Sequence, residues 1–228
     1  MIPWQVSLQR FVPKKGFLHY CGGTILNAYT ILSAANCNIK VGHKVLAGSR
    51  NRKKGTRHVI KKVITNRFKP YDKYDYIHDI VILKLKTPLA LDDTRQPACL
   101  PSKNFKPKVG SICYVSGWGV KNYGGNYLPK WLQYVSVPIV DHASCANTLY
   151  GIESTDSLIC AGADGKDACS KDSGTPLVCI ENGKPVITGI TSFGVDCGDP
   201  DYPGVYTEVV DYRRWIQAAM KRHPLWSE

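Results

Sequence analysis

Ser173 lies in the run Ala168-Cys169-Ser170-Lys171-Asp172-Ser173-Gly174-Thr175-Pro176-Leu177-Val178-Cys179, a short glycine-containing stretch bounded by cysteines. A serine hydroxyl does covalent chemistry only when a base can take its proton and a carboxylate holds that base in place. By itself this run reads as an ordinary disulfide-pinned turn, so its neighbours in sequence must decide. Metal chemistry is disfavoured by spacing. His19, His43, His58, His78, His142 and His223 form no H-x-x-x-H couple, and the nine cysteines form no C-x-x-C pair, which argues against zinc. Nine cysteines beside two methionines instead point to disulfides and an oxidising compartment.

The elements that would carry these residues are mostly strands. Short alternating or β-branched runs recur between turn signals at Trp4–Gln9, Thr24–Leu32, Lys44–Leu46, Arg57–Ile64, Ile80–Leu85, Ser111–Ser116, Leu132–Val140, Pro185–Ser192 and Val205–Val210. That density predicts an all-β chain of barrels or sandwiches. After Asp211 the spacing changes: Tyr212, Trp215, Ile216 and Ala219 recur with a helical period, opposite Arg213, Arg214, Lys221 and Arg222, which predicts a C-terminal amphipathic helix. Pro101–Gly110, rich in Pro, Lys and Gly, reads as a linker between two β units.

Charge is distributed unequally. The 228 residues carry 30 Lys+Arg against 18 Asp+Glu, a net +12. Residues 1–70 hold 14 basic and no acidic side chains, whereas residues 101–228 hold 12 basic and 13 acidic ones. With 43% hydrophobic residues the chain can bury a core, which excludes disorder as its main state. No apolar stretch approaches the ~20 residues that span a bilayer, so no membrane span is expected. Met1-Ile2-Pro3-Trp4 also lacks the charged start and apolar run of a signal peptide. Cysteine usage and this N-terminus conflict, and we read the chain as the C-terminal part of a longer secreted precursor, with Met1 an artefact.

The nucleophile-like run is joined, in order along the chain, by Pro3-Trp4-Gln5-Val6-Ser7-Leu8, Cys21-Gly22-Gly23-Thr24, Leu32-Ser33-Ala34-Ala35-Asn36-Cys37, Asp79-Ile80-Val81-Ile82-Leu83-Lys84-Leu85, Ser116-Gly117-Trp118-Gly119, Ser192-Phe193-Gly194 and Pro203-Gly204-Val205-Tyr206. Together these motifs resemble the chymotrypsin- and trypsin-like serine proteases over nearly the whole chain. The resemblance implies one domain over 1–228: two six-stranded antiparallel β-barrels, the first about 1–104 and the second, with the C-terminal helix, about 105–228, and an active site in the cleft between them. It also implies the bridges Cys21–Cys37, Cys113–Cys179, Cys145–Cys160 and Cys169–Cys197. Cys99 is left single, at a place where many relatives tie the domain to an N-terminal segment by a disulfide.

The same resemblance assigns roles. Ser173 matches the nucleophile and Asp79 the orienting carboxylate, but Asn36 stands where the family has its histidine. An amide cannot take up a proton near neutral pH, so Asn36 cannot serve as general base or acid. His78 is a tempting substitute, yet adjacent side chains on a strand face opposite ways, which makes it a surface or subsite residue rather than a relocated base. The implied oxyanion hole uses the backbone N–H groups of Ser173 and Lys171; the family has glycine at the second position, and a side chain there is expected to disfavour the needed backbone orientation. Thr175 replaces another glycine of that loop. Asp172 matches the acid that pairs with the freed N-terminus on activation.

The specificity pocket is implied at Asp167, Ser192, Gly194 and Gly204, with Asp167 as the carboxylate that receives an Arg or Lys side chain; Asp167 as a remnant without a ligand is the alternative. Asp196 stands at a rim position that is commonly glycine and could narrow the entrance. On the first barrel, Arg50, Arg52, Lys53, Lys54, Arg57, Lys61 and Lys62 form the densest basic cluster. It suggests heparin-like glycosaminoglycan, acidic protein segments or microbial surface polymers as partners, against a solvated charged face as the plain alternative. No recognition motif supports specific nucleic-acid binding. The loop lacks the glutamates that hold calcium in some relatives, and no cofactor or metal is expected. Two functional readings follow. The favoured one is a secreted protease homologue that is proteolytically inactive and acts by binding, as decoy, cofactor or cationic effector. The other is a protease of Arg/Lys specificity in which Asn36 is an engineered replacement.

Overall fold

The computed structural model describes residues 2–148 and 157–221. Its first half contains β1 (Gln5–Val12), β2 (Gly16–Asn27), β3 (Thr30–Ser33), β4 (Lys44–Ala47), β5 (Thr56–Thr65) and β6 (Val81–Leu85), hydrogen-bonded in the order β1-β2-β3-β6-β5-β4 into a closed barrel. Closure leaves the six-stranded ladder without an edge. Aliphatic residues such as Val6, Leu8, Ile25, Ile31, Ile60 and Leu83 fill its interior.

The second half contains β7 (Ile112–Gly117), β8 (Gln133–Pro138), α1 (His142–Thr148), β9 (Leu158–Ala161), β10 (Pro176–Glu181), β11 (Lys184–Phe193), β12 (Gly204–Glu208) and α2 (Arg213–Lys221). Its strands run β8-β7-β10-β11-β12-β9. This half-barrel is drawn together at its seam, where Val140 N–H donates to Cys160 O at 2.9 Å and Gly162 N–H to Pro138 O at 3.2 Å. The all-β double-barrel architecture with a short C-terminal helix is therefore as expected. Sulfurs are bonded at Cys21–Cys37, Cys113–Cys179, Cys145–Cys160 and Cys169–Cys197, and Cys99 is a free, exposed thiol.

Some elements differ from the sequence reading. The expected Thr24–Leu32 strand is two strands, β2 and β3, because Asn27 Oδ1 accepts from Tyr29 N–H at 3.0 Å and turns the chain, as Asn side chains do. Residues 16–23 join β2 by pairing with β1, Ser7 opposite Gly22 and Val6 opposite Gly23, and Gly22 meets the neighbouring loop too closely for a side chain. β9, β10 and α1 were not expected. Asp141 starts α1 by accepting Ser144 N–H at 3.0 Å, an N-cap signal present in the sequence. The C-terminal helix forms as its period requires, with Tyr212, Ile216 and Ala219 buried against the first barrel's core; Arg222 and His223 lie outside the described residues.

Candidate active site

A 3₁₀ turn, Ala35–Cys37, follows β3 and carries Asn36 to the cleft. Asn38 then takes the left-handed conformation, and its N–H closes the turn on Ala35 O. Asp79 sits just before β6 and is fully buried. Its Oδ1 accepts the Asn36 backbone N–H at 2.7 Å, and its Oδ2 accepts the Ser192 hydroxyl at 2.5 Å. Burial raises its carboxyl to about 6, outweighing these donors.

The Asn36 amide does not bridge carboxylate and nucleophile. Its Nδ2 donates to Ser192 O at 2.8 Å, the same carbonyl that receives the Ser173 hydroxyl at 3.4 Å. Asn36 and Ser173 thus share one acceptor. His78 is no substitute base, although the strand argument for this was incorrect. It lies in a left-handed turn ahead of β6, at φ 58°, and its Nδ1 is 2.6 Å from the Tyr212 hydroxyl.

The Ser173 loop is held from both barrels. Gly22 N–H of β2 donates to Ser173 O at 2.8 Å, Gly174 N–H to Thr191 O at 2.8 Å, and Thr175 N–H to Asp172 O at 2.9 Å. Gly174 has φ 85°, and a Cβ there would lie 2.3 Å from Ser33 Oγ, so the turn requires glycine. Thr175 is buried and its hydroxyl is 2.9 Å from that of Thr191. It fits because Gly22 faces it: a Cβ on Gly22 would come within 2.1 Å of Thr175 Cγ2. Lys171 adopts φ 79°, the region glycine supplies. His19, weighed in the sequence only as a metal ligand, bears on this backbone: its Nε2–H donates to Lys171 O at 3.1 Å while its Nδ1 is 2.8 Å from Ser7 Oγ. Burial pushes its imidazole down to about 4, so it remains neutral in this role.

Beside Ser173 lies a cavity of about 170 Å³, lined among others by Asp167, Ser192, Gly194, Asp196, Gly204 and Tyr123. Asp167 accepts Ala168 N–H at 2.7 Å and Gly198 N–H at 3.5 Å. Burial nevertheless lifts its carboxyl to about 7. A Cβ on Gly204 would sit 2.2 Å from Asp167 Oδ1, so this glycine makes room for the carboxylate. Asp196 folds its own carboxylate back onto Cys197 N–H at 2.5 Å. Ser192 touches the cavity, but its hydroxyl serves Asp79. A second cavity, of about 260 Å³, holds Asp172. That carboxylate accepts Gly119 N–H at 2.7 Å and Cys169 N–H at 3.1 Å, and burial raises it to about 6. A Cβ on Gly117 or Gly119 would collide with it.

The basic cluster is divided by the fold. Arg50, Lys53, Lys54, Arg57 and Lys61 are exposed, while Lys62 and Arg52 are half-buried. Arg52 is a tie between the barrels: Nε donates to Pro129 O at 3.1 Å and a terminal nitrogen to Leu128 O at 3.3 Å. Arg57 Nε donates to Gln9 Oε1 at 2.8 Å. Among the described residues no group of three or more His, Cys, Asp or Glu is arranged to hold a metal ion, and no described helix is long and apolar enough to cross a membrane.

Known proteins are similar to this chain in sequence. The family description "Trypsin" matches residues 1–216. Trypsin delta and trypsin gamma of Drosophila erecta are each 40% identical over 222 residues, covering 94% of this chain and 82% of theirs. Trypsin delta of Drosophila melanogaster is 38% identical with the same coverage. With the double barrel, the four bridges and the Asp79–Ser192–Ser173 cleft, this agreement places the chain in the trypsin family of chymotrypsin-like serine proteases.

Proposed function

We propose that this chain is a secreted trypsin-family homologue without proteolytic turnover, which acts by binding. The observation that carries the reading is the Asn36 amide, turned onto Ser192 O beside Ser173. Among the described residues Ser173 has no titratable nitrogen as its hydrogen-bond partner, and an amide cannot shuttle a proton. Loss of the base alone costs about 10⁶ in turnover in a triad of the same logic. The cavity over Asp167 supports a role in holding an Arg or Lys side chain of a protein or peptide, and the exposed Arg50, Lys53, Lys54, Arg57 and Lys61 support polyanion binding on the first barrel. Cys99 is exposed and supports a disulfide to an upstream segment. The test is turnover of Arg and Lys ester and amide substrates by protein supplied with an Ile-led N-terminus. Rates in the ordinary protease range would overturn the reading.

A second reading has its own support: Asp79 is fully engaged, Lys171 adopts the backbone conformation glycine would, and the curated relatives are named trypsins. On that reading Asn36 replaces an original histidine. Asn36→His then restores strong activity towards the same substrates, and failure to do so rejects it.

A further inference from the structure

On the flank away from the cleft, β5 and α2 enclose a groove of about 450 Å³ lined by Lys62, Val63, Ile64, Arg67, Phe68 and Trp215, with Thr65, Ala218 and Ala219 completing it. Two features separate it from ordinary barrel surface. Phe68 is 95% exposed, and the turn beneath fixes it, because the buried Asn66 Oδ1 accepts Phe68 N–H at 3.0 Å and Lys69 N–H at 3.2 Å. The polar lining is one-signed. Lys62 and Arg67 join no ion pair among the described residues, and no acid lines the groove. Lys69 adds positive charge nearby, its Nζ 5.6 Å from the Tyr212 ring centre.

We infer that this groove is a docking site for an acidic segment of a protein partner that carries one large apolar side chain. The apolar side chain would lie between Phe68, Ile64 and Trp215, with its flanking carboxylates on Lys62 and Arg67. Phe, Trp and Arg are the residue types that anchor protein interfaces, here an exposed Phe68 and Arg67 beside a half-buried Trp215, and residues 1–70, without a single acid, provide a field that draws such a segment in. The proposal deepens the polyanion reading of the first barrel, because it demands an apolar anchor that a simple polyanion lacks.

The experiment uses the full chain and fluorescein-labelled Glu-Glu-Phe-Glu-Glu, read by anisotropy, with Glu-Glu-Ser-Glu-Glu and Lys-Lys-Phe-Lys-Lys as comparison peptides. Saturable binding of the first is expected, with the serine peptide weaker by about fivefold or more and the lysine peptide not binding. Phe68→Ser and Arg67→Glu each weaken it by about tenfold at unchanged Tm, since both side chains are exposed. Lys53→Glu with Lys54→Glu changes it by less than about threefold. The inference is overturned if no peptide saturates, if the two acidic peptides bind alike, or if Phe68→Ser binds as wild type does. Peptide affinity that follows Lys53 and Lys54 instead of Phe68 also overturns it, while leaving the broader polyanion reading standing. Wild-type protein that saturates with the peptide but is not retained by heparin does the reverse.

Discussion

The two walls of the cleft treat their polar groups differently. On the first-barrel wall the carboxylate is tied to protein: Asp79 holds the Asn36 N–H and the Ser192 hydroxyl, and the Asn36 amide nitrogen holds Ser192 O. On the second-barrel wall, Asp167 lines an open cavity, held by two backbone N–H groups and given space by Gly204. Both carboxyls are raised by burial, but only one looks onto space that a ligand could enter. Proton transfer requires one titratable atom within hydrogen-bond reach of the hydroxyl. Recognition of a cation requires shape and a carboxylate. On the proposed reading, a single amide at position 36 removes the first requirement and leaves the second alone.

The contrast breaks most sharply at Asp167. Asp167→Asn should weaken binding of benzamidine, a planar cation, by about 100-fold, measured by calorimetry; a change of less than threefold would mean that this wall does not recognise cations. Gly22→Ala comes next. Its new Cβ meets Thr175, and overpacking of this kind costs about 2 kcal/mol. Thr175→Gly in the same chain should recover most of that loss in a denaturant titration, whereas simple additivity of the two changes would show that the residues are not matched.

A smaller effect is the pH response of the two walls. Asp167 must be ionised to hold a cation and its carboxyl lies near 7, so benzamidine affinity should be constant above that pH and fall by up to about tenfold per unit below it; a flat profile from pH 5 to 8 would contradict this. For stability the sign is reversed from the usual carboxylate. Asp79 and Asp172 are raised to about 6 from 3.8, so between those values the folded state holds more protons than the unfolded one. Their burial penalty is absent at the acid end and complete above pH 6. Wild type should lose stability across that window relative to Asp79→Asn or Asp172→Asn in thermal melts. Smallest of all, Lys53→Ser with Lys54→Ser should leave Tm unchanged while lowering the salt needed to elute the chain from heparin; an unchanged elution position would remove these lysines from the polyanion face.

Much of this was legible in the residues. Alternating and β-branched runs located most strands, whether half-buried like β5 or buried throughout like β6 and β12, and the order of short motifs marked Asn36, Asp79, Asp167 and Ser173. What escaped was set by contacts between distant segments. Ser192 reads as a pocket residue, yet its hydroxyl turns to Asp79 across 113 positions. His19 supports the Lys171 carbonyl from 152 positions away. Lys171 takes a glycine's conformation because its loop is pinned on both sides, and periodicity carries no record of that. Arg52 looked like one of seven equivalent cations until the carbonyls at 128 and 129 were seen beneath it.

The helix that ends the described chain follows the second barrel but seats Ile216 and Ala219 in the first barrel's core. Lys84 of β6 donates to Met220 O at 3.2 Å, and Arg213 to Pro101 O at 2.9 Å. Prising the barrels apart would therefore have to pull this helix out of its seat and expose apolar surface, a cost absent from a freely hinged pair of domains. These ties predict a cleft of fixed gape, in which a ligand that already matches the opening binds with the backbone nearly where it was.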